Sequence, residues 1–479
     1  MNNILRTFVQ ACKQLTKATV NFSELPLLSR LSVVTLPPKK GESCNVLKIN
    51  DHLPSSFRKG APDHSVRDEA GFMFSGQILF SIFTPLKNQS LMWNFDEVIN
   101  RENTSCIKYD LRQEVFGRAD VIPMWVADMD FRTPAFIIDA LAARLKHEIL
   151  GYSYRPDSYF RSFISWLYDR YGWEIKREWI EFSPGIVPAL NICAIAYSDT
   201  GDGIVIQPPV YTPFHAAARD HDRRLIFNNL LETEDGWKMD HEGLRKLITP
   251  SVKMLIISNP HNPVGRAWKR EELAAVADIC YEKGVVILSD EIHSDLMLPG
   301  SRHIPMASIS DKAASITVTC MAPSKTFNLA GLSTSSMIIP NTGLRDKFRK
   351  TLEGMHLHLG NIFGNVASEA AYSYGHGWLD ELLVYVQGNV DLVMSYCRER
   401  IPKIRPVKPE ATYMIWLDCR AMGMTGQELQ RFFVDMAGVG MNEGSSFGPG
   451  GEGFMRMNLA CPRSTVEKAL KQIEQAING

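Results

Sequence analysis

The sequence predicts an α/β fold, with a mostly parallel sheet in a large domain followed by a smaller C-terminal α+β domain. Three observations carry this. After position 130 short apolar runs alternate with longer amphipathic stretches, as parallel strand–helix units require. Five of these runs end in a polar or Gly/Pro-rich cluster. Past position 345 the alternation gives way to long helical stretches.

The first run, 179–182 (WIEF), leads through Ser183-Pro184-Gly185 into an apolar helix entered at Pro188. Run 203–207 precedes Pro208-Pro209-Val210-Tyr211, and run 254–258 precedes Asn259-Pro260-His261-Asn262-Pro263. Run 285–289 is capped by Asp290-Glu291, and run 315–321 by Ala322-Pro323-Ser324-Lys325. Open α/β sheets place their ligand crevice outside the carboxyl ends of the strands, so one crevice collects all five loops. The later part reads as helices over 361–375 and 378–400, a strand over 413–418, a helix from Thr425 and a closing helix from Ser464.

Composition narrows the function classes. The 479 residues suit two domains with sequence to spare, and a hydrophobic fraction of 45% with 22% charged residues is that of a core-forming globular protein. A formal charge of −1 gives no sign of a polyanionic partner, so nucleic-acid binding is not expected. The nine cysteines are scattered and form no C-x-x-C pair, which excludes the common zinc and redox motifs and suits a reducing, cytoplasmic setting. No apolar run reaches the roughly 18–20 residues that span a bilayer, so no membrane association is expected.

The first 91 residues differ from the rest. They hold 11 Lys/Arg and 6 Asp/Glu, a net +5, against 41 and 47 in the remainder. Their apolar residues keep no sustained period, and Pro37-Pro38-Lys39-Lys40-Gly41 reads as linker. The expectation for 1–91 is a poorly ordered extension, with Met92 as a functional start; 92–133 is an arm joining the small domain, 134–345 the large domain, and 346–479 an interdomain helix with the small domain.

The five loops carry the parts of a pyridoxal phosphate site. That cofactor needs an amine able to form an imine, an acid at its pyridine nitrogen, a partner for the ring O3′, an aromatic over the ring and donors for the phosphate. Lys325 follows a buried strand on a tight turn, where desolvation lowers an amine's proton affinity. Asp290 ends an apolar strand, and is either the acid at the ring nitrogen or a helix N-cap. Asn262 sits in a rigid loop that aims its amide, if it is more than an Asn-Pro turn residue. Tyr211 is a stacking ring or a core tyrosine. Gly185 and Ile186 lead into a helix whose first amides suit phosphate. The order of all five on successive strand ends favours the cofactor.

The chain resembles the fold-type I pyridoxal phosphate enzymes, the aspartate aminotransferase superfamily, and within them the MalY/PatB cystathionine β-lyase family. The resemblance runs from about Asn94 to the C-terminus. Its marks include Trp125-Val126-Ala127-Asp128-Met129-Asp130-Phe131, Gly151-Tyr152, His261-Asn262-Pro263, Asp290-Glu291-Ile292-His293, Ser324-Lys325-Thr326-Phe327-Asn328 and Arg456-Met457-Asn458. It implies a three-layer aspartate aminotransferase-like fold. Lys325 would then be the imine lysine and proton carrier, Asp290 the ring-nitrogen partner, Asn262 the O3′ partner and Tyr211 the stacking ring. Gly185, Ile186, Ser324 and His293 join them around the cofactor, while Arg456, Ala127 and Asp128 hold the substrate. The resemblance further implies a homodimer in which Tyr152 completes the neighbouring site, and no metal.

The implied reaction is cleavage of the carbon–sulfur bond of L-cystathionine or a related cysteine S-conjugate to a thiol, pyruvate and ammonia. The alternative is amino transfer to a keto acid; the segment from Trp125 to Asp130, in place of the Gly-x-Pro-Asp type of many aminotransferases, favours the lyase. Two positions depart from the wider pattern: Ala322 stands where many relatives have a phosphate-binding serine, and Ser333 where aminotransferases commonly have an arginine. Weaker cofactor retention than in relatives with the serine is therefore predicted. Dialysis should strip the bound-cofactor absorbance, and full absorbance after dialysis would contradict it.

Overall fold

In the computed structural model, residues 92–234 and 236–479 are described, together with the backbone of one antiparallel strand pair, Val33–Val34 with Val46–Leu47. The chain divides into two units, Met1–Asn88 and Gln89–Gly479. The expected linker 37–41 and extension 1–91 otherwise lie outside the described residues.

The second unit is built on a seven-stranded sheet. Its strands are β1 (Ile180–Ser183), β2 (Gly203–Ile206), β3 (Arg224–Phe227), β4 (Val252–Ser258), β5 (Val286–Asp290), β6 (Thr317–Met321) and β7 (Ser335–Ile338), in the spatial order β1-β7-β6-β5-β4-β2-β3. All are parallel except β7, which runs antiparallel between β6 and β1. The predicted runs are all present, with ends shifted by up to two residues. Ser315 and Ile316 belong to the helix Asp311–Ile316, because the Ser310 hydroxyl caps it by accepting from the Ala313 N–H at 3.2 Å. The helix after β1 starts at Ile186, with Pro188 inside its first turn, where a missing N–H costs nothing.

Alternation along the strands makes three layers. Ile204, Ile206, Met254, Ile256, Leu288 and Val318 pack on one face against the helix Ile186–Tyr197. Val205, Leu255, Ile257 and Ile287 pack on the other against Arg270–Lys283. Both faces are buried, so these strands read as unbroken apolar runs rather than as alternating ones. Strand β3 escaped the sequence reading because it is an edge strand that opens with an arginine and keeps no fully buried residue. Strand β7 escaped because serines supply its first two positions.

A four-stranded antiparallel sheet forms the C-terminal part, from β8 (Arg405–Val407), β9 (Met414–Asp418), β10 (Asn442–Glu443) and β11 (Phe454–Asn458), in the order β8-β9-β11-β10. Helices Ile362–Tyr374, His376–Arg400 and Arg463–Asn478 accompany it. The last buries Val466, Ala469, Leu470 and Ile473, an i, i+3, i+4, i+7 stripe. Helix Thr342–Gly354 runs through position 345, where the sequence placed a domain boundary. Ile122–Pro123 pairs in parallel with Val439–Gly440, which ties the arm to this part. Among the described residues no helix is long and apolar enough to cross a membrane.

Ile287 lies at the centre of the sheet with no exposed surface. Ile287→Ala is predicted to lower the unfolding free energy by about 2–5 kcal/mol in urea denaturation of the cofactor-free protein. A loss below about 1 kcal/mol would mean that the site collapses on the cavity.

Candidate active site at the carboxyl ends of the central strands

The loops after β1, β2, β4, β5 and β6 meet at one cleft of about 210 Å³. Lys325, Asp290, Asn262, Tyr211 and His293 line it, as do Ala127, Ser324, Gly185 and Ile186. A larger hollow of about 340 Å³ lies between Arg155, Tyr159, Arg177 and Arg349 and holds none of the predicted residues. Its Arg349 is spent on an ion pair with Glu181.

Lys325 sits on the one-turn helix Pro323–Thr326, which starts with proline, a residue with no N–H of its own to leave unpaired there. Its Nζ donates to the Ala127 carbonyl at 2.6 Å. Burial pulls the amine down to about 8, with Arg456 adding to the shift and Asp128 and Asp290 opposing it. The next residue, Thr326, fixes the turn by donating to the Asp295 carboxylate at 2.8 Å.

Asp290 is the last residue of β5, in register with Ser258 and Cys320 on the neighbouring strands. It caps a turn rather than a helix: its Oδ1 accepts from the Ile292 N–H at 3.1 Å. Burial raises the carboxyl to about 7; the Ile292 N–H and Lys325 pull against that and Glu291 adds to it. Glu291 faces away, accepting from the Ser289 hydroxyl and the Met306 N–H at 2.8 Å and contacting His303 Nε2 at 2.7 Å. The two adjacent acids thus have opposite fates: one is tied into the interior, and the other is left for the cleft.

Asn262 is held by its own N–H, which donates to Ser258 Oγ at 3.2 Å, and its Oδ1 accepts from Arg456 Nη1 at 3.1 Å. Arg456 comes from the middle of β11. Its Nη2 donates to Asn442 Oδ1 at 2.8 Å and to the Trp125 carbonyl at 3.0 Å, and its guanidinium lies 4.8 Å from the Phe447 ring centre. Among the described residues no carboxylate reaches it. The side chain is 5% exposed, and burial lowers its proton affinity to about 10, opposed only by the phenols of Tyr211 and Tyr413. A buried guanidinium held by neutral oxygens alone, with its Nε left without a partner, is poised for an anion.

His293 is buried with Nδ1 unpartnered, and burial pushes its proton affinity well down, so the ring is neutral and keeps one polar atom to spend. Burial, then Asp290, raises the Tyr211 phenol, which stays protonated. Gly185 has φ +143°, a backbone state that favours glycine, and it hands the chain directly to the helix at Ile186. Ser333, which stands where aminotransferases commonly have an arginine, lines the cleft from a left-handed backbone position, and Thr334 beside it also lines the cleft.

Two predicted residues are placed elsewhere. Tyr152 is 98% exposed and does not line the cleft of its own chain. The Asp128 carboxylate turns away to Arg101, whose Nη1 and Nη2 donate at 3.1 and 2.7 Å. Asp130 joins the same cluster, with Arg101 at 2.6 Å and the buried Lys108 at 2.8 Å. Sequence reading missed Arg101 and Lys108, which no motif flags, and Tyr413, whose hydroxyl donates to the Ala127 carbonyl at 3.0 Å.

Residues 119–473 match the family described as aminotransferase class I and II. Cystathionine beta-lyase PatB of Bacillus subtilis is 46% identical over 387 residues, covering 80% of this chain and 100% of PatB. Protein MalY of Escherichia coli is 31% identical, covering 81% of this chain and 99% of MalY. The crystal structure of cystalysin from Treponema denticola, which contains a pyridoxal 5'-phosphate cofactor, superposes with a TM-score of 0.79 at 34% identity, covering 81% of this chain and 99% of that one. With its strand-end cleft and these full-length matches, the chain belongs to the aminotransferase class I and II family, on the branch of PatB and MalY.

Proposed function

We propose that the protein is a pyridoxal phosphate-dependent carbon–sulfur β-lyase acting on L-cystathionine or a related cysteine S-conjugate. The carrying observation is the buried Arg456, without a carboxylate partner, bonded to the cleft residue Asn262 and close enough to help lower the Lys325 amine to about 8. The full-length likeness to PatB favours elimination over amino transfer.

The residues fit the cofactor. Asp290 offers a buried acid whose ionised form lacks a cation, His293 offers an unpartnered ring nitrogen, and Lys325 offers an amine that deprotonates near neutrality. When bound, pyridoxal phosphate supplies an electron sink for the bonds broken at the substrate α-carbon. Asp290 would hold the ring nitrogen protonated, Asn262 would bond O3′, Tyr211 would stack on the ring, and His293 would stand beside them. Ser324, Ser333 and the Gly185 and Ile186 amides bind the phosphate.

Arg456 would grip the substrate α-carboxylate through the donors its neighbours leave over, the unpartnered Nε–H and the second Nη1–H, with Ala127 beside it. Lys325, whose amine would carry the cofactor, would also take the substrate α-proton. The carbon–sulfur bond then breaks, the thiolate leaves and takes up a proton, and hydrolysis of the remaining three-carbon fragment gives pyruvate and ammonia. From cystathionine the thiol is homocysteine. The exposed Tyr152 reaches the phosphate of a neighbouring copy, so the working form is a homodimer; its setting is the cytoplasm. The division into an arm (92–133), a large domain (134–345) and a small domain (346–479) belongs to the same reading.

L-Cystathionine is expected to yield pyruvate with no keto acid present. No pyruvate, with amino transfer once a keto acid is supplied, would reject the lyase, and full turnover by Lys325→Ala would reject the site.

Asp290 also gives a stability signature. Its raised carboxyl favours the neutral form in the folded state, so its ionisation costs stability as pH rises from about 4 to about 7. Cofactor-free Asp290→Asn is expected to be more stable than the parent at pH 8, by about 1–4 kcal/mol, and the gain should shrink as pH falls toward 4. Denaturant titration at the two pH values reads it; equal or lower stability at pH 8 would contradict it.

A further inference from the structure

The segment from Val126 to Met129 is held by every one of its carbonyls. Asn458 Nδ2 donates to those of Val126 and Asp128, both at 2.7 Å. The Met129 carbonyl accepts from Asn328 Nδ2 at 2.9 Å and from Arg101 Nη1 at 3.1 Å. The Ala127 carbonyl accepts from Lys325 Nζ and from the Tyr413 hydroxyl.

Asn328 makes the most specific of these contacts. Its Oδ1 also accepts from the Met129 N–H at 2.9 Å, so one amide clips both backbone groups of one residue. Asn328 stands three residues after Lys325 at φ +59°, a left-handed position that asparagine and glycine tolerate. The contacts close a ring. It runs from the Lys325 backbone to the Asn328 amide, across to Met129, back two residues to the Ala127 carbonyl, and home to Lys325 Nζ. A carbonyl fixed in this way is a local acceptor for an ammonium that has little water.

We propose that Asn328 is a positioning residue: its clip on Met129 holds the Ala127 carbonyl where the free Lys325 amine docks, and so sets how tightly that amine keeps its proton. The proposal rests on the lysine role given above. The other groups facing the amine come from elsewhere: Asp290 and His293 from the end of β5 and its turn, Arg456 from β11, Asp128 from the clipped segment itself, and the Tyr413 phenol from the start of β9. Of these, Asp128 is also held by Arg101, Tyr413 shares the Ala127 carbonyl, and Asp290, His293 and Arg456 make no hydrogen bond to Asn328 or Met129.

The test is the pH dependence of imine formation between cofactor-free protein and added pyridoxal phosphate, followed by absorbance, with thermal unfolding measured alongside. The parent is expected to show a midpoint near 8. Asn328→Gly keeps the backbone state and loses the clip, so the midpoint should fall by roughly one unit as the ammonium loses its acceptor. Asn328→Ser, too short to span both Met129 groups, should shift the same way and serves if the glycine variant does not fold. Thr326→Val removes the other anchor of the lysine turn and should lower the melting temperature without moving the midpoint. An unmoved midpoint in the Asn328 variants, or an equal shift in Thr326→Val, overturns the proposal. A parent protein that forms no imine overturns the lysine role, and the proposal with it.

Discussion

Desolvation of three charged groups at one place is the constraint on which the rest of the site depends. Lys325, Asp290 and Arg456 are each moved by burial away from the charge they would carry in water, and none is neutralised by a close ion pair with another. Such an arrangement costs folding free energy that the protein recovers elsewhere. The two apolar faces of the seven-stranded sheet supply it, because every strand that delivers a polar residue to the cleft is buried over most of its length. The same layers that stabilise the fold therefore create the low-dielectric floor that gives the lysine and the aspartate their chemistry.

Neutral oxygens do the remaining work of holding these groups. Arg456 is fixed by two asparagines and a carbonyl, and Lys325 by the carbonyl of Ala127. Carboxylates at those points would have quenched both cations and left nothing for a substrate. The acids near the cleft are diverted instead: Asp128 and Asp130 to Arg101 and Lys108, Glu291 to Ser289 and His303, and Asp295 to Trp166 and Thr326. Asp290 alone of the acids near the cleft faces it without such a tie, and that is the acid the proposed chemistry would use.

What the sequence disclosed follows from this architecture. Lys325, Asp290, Asn262, Tyr211 and Gly185 were legible because each closes an apolar run, and parallel βα units put strand ends side by side. Arg456 was not legible from pattern, since it lies mid-strand in an antiparallel sheet and its value comes from partners 14 and 194 residues away; only the resemblance singled it out. The segment around Asp128 was recognised, but the direction of its carboxylate was not, because Arg101 and Lys108 are chosen by the folding of the arm rather than by any local period. Tyr152, fully turned to solvent, was named by the resemblance alone, and its own chain gives it no place at the cleft. Strands β3 and β7 were missed for a simpler reason, since an edge position and a pair of serines hide the apolar signal.

Burial prepares the cleft for a cation at Asp290. Carbon NMR of aspartate-labelled protein, with Asp290→Asn used to assign the signal, measures this directly. The expected result is a carboxyl that titrates near 7 without cofactor and clearly lower once pyridoxal phosphate is bound, because a protonated ring nitrogen would stabilise the carboxylate. A carboxyl titrating near 4 in both states would contradict it.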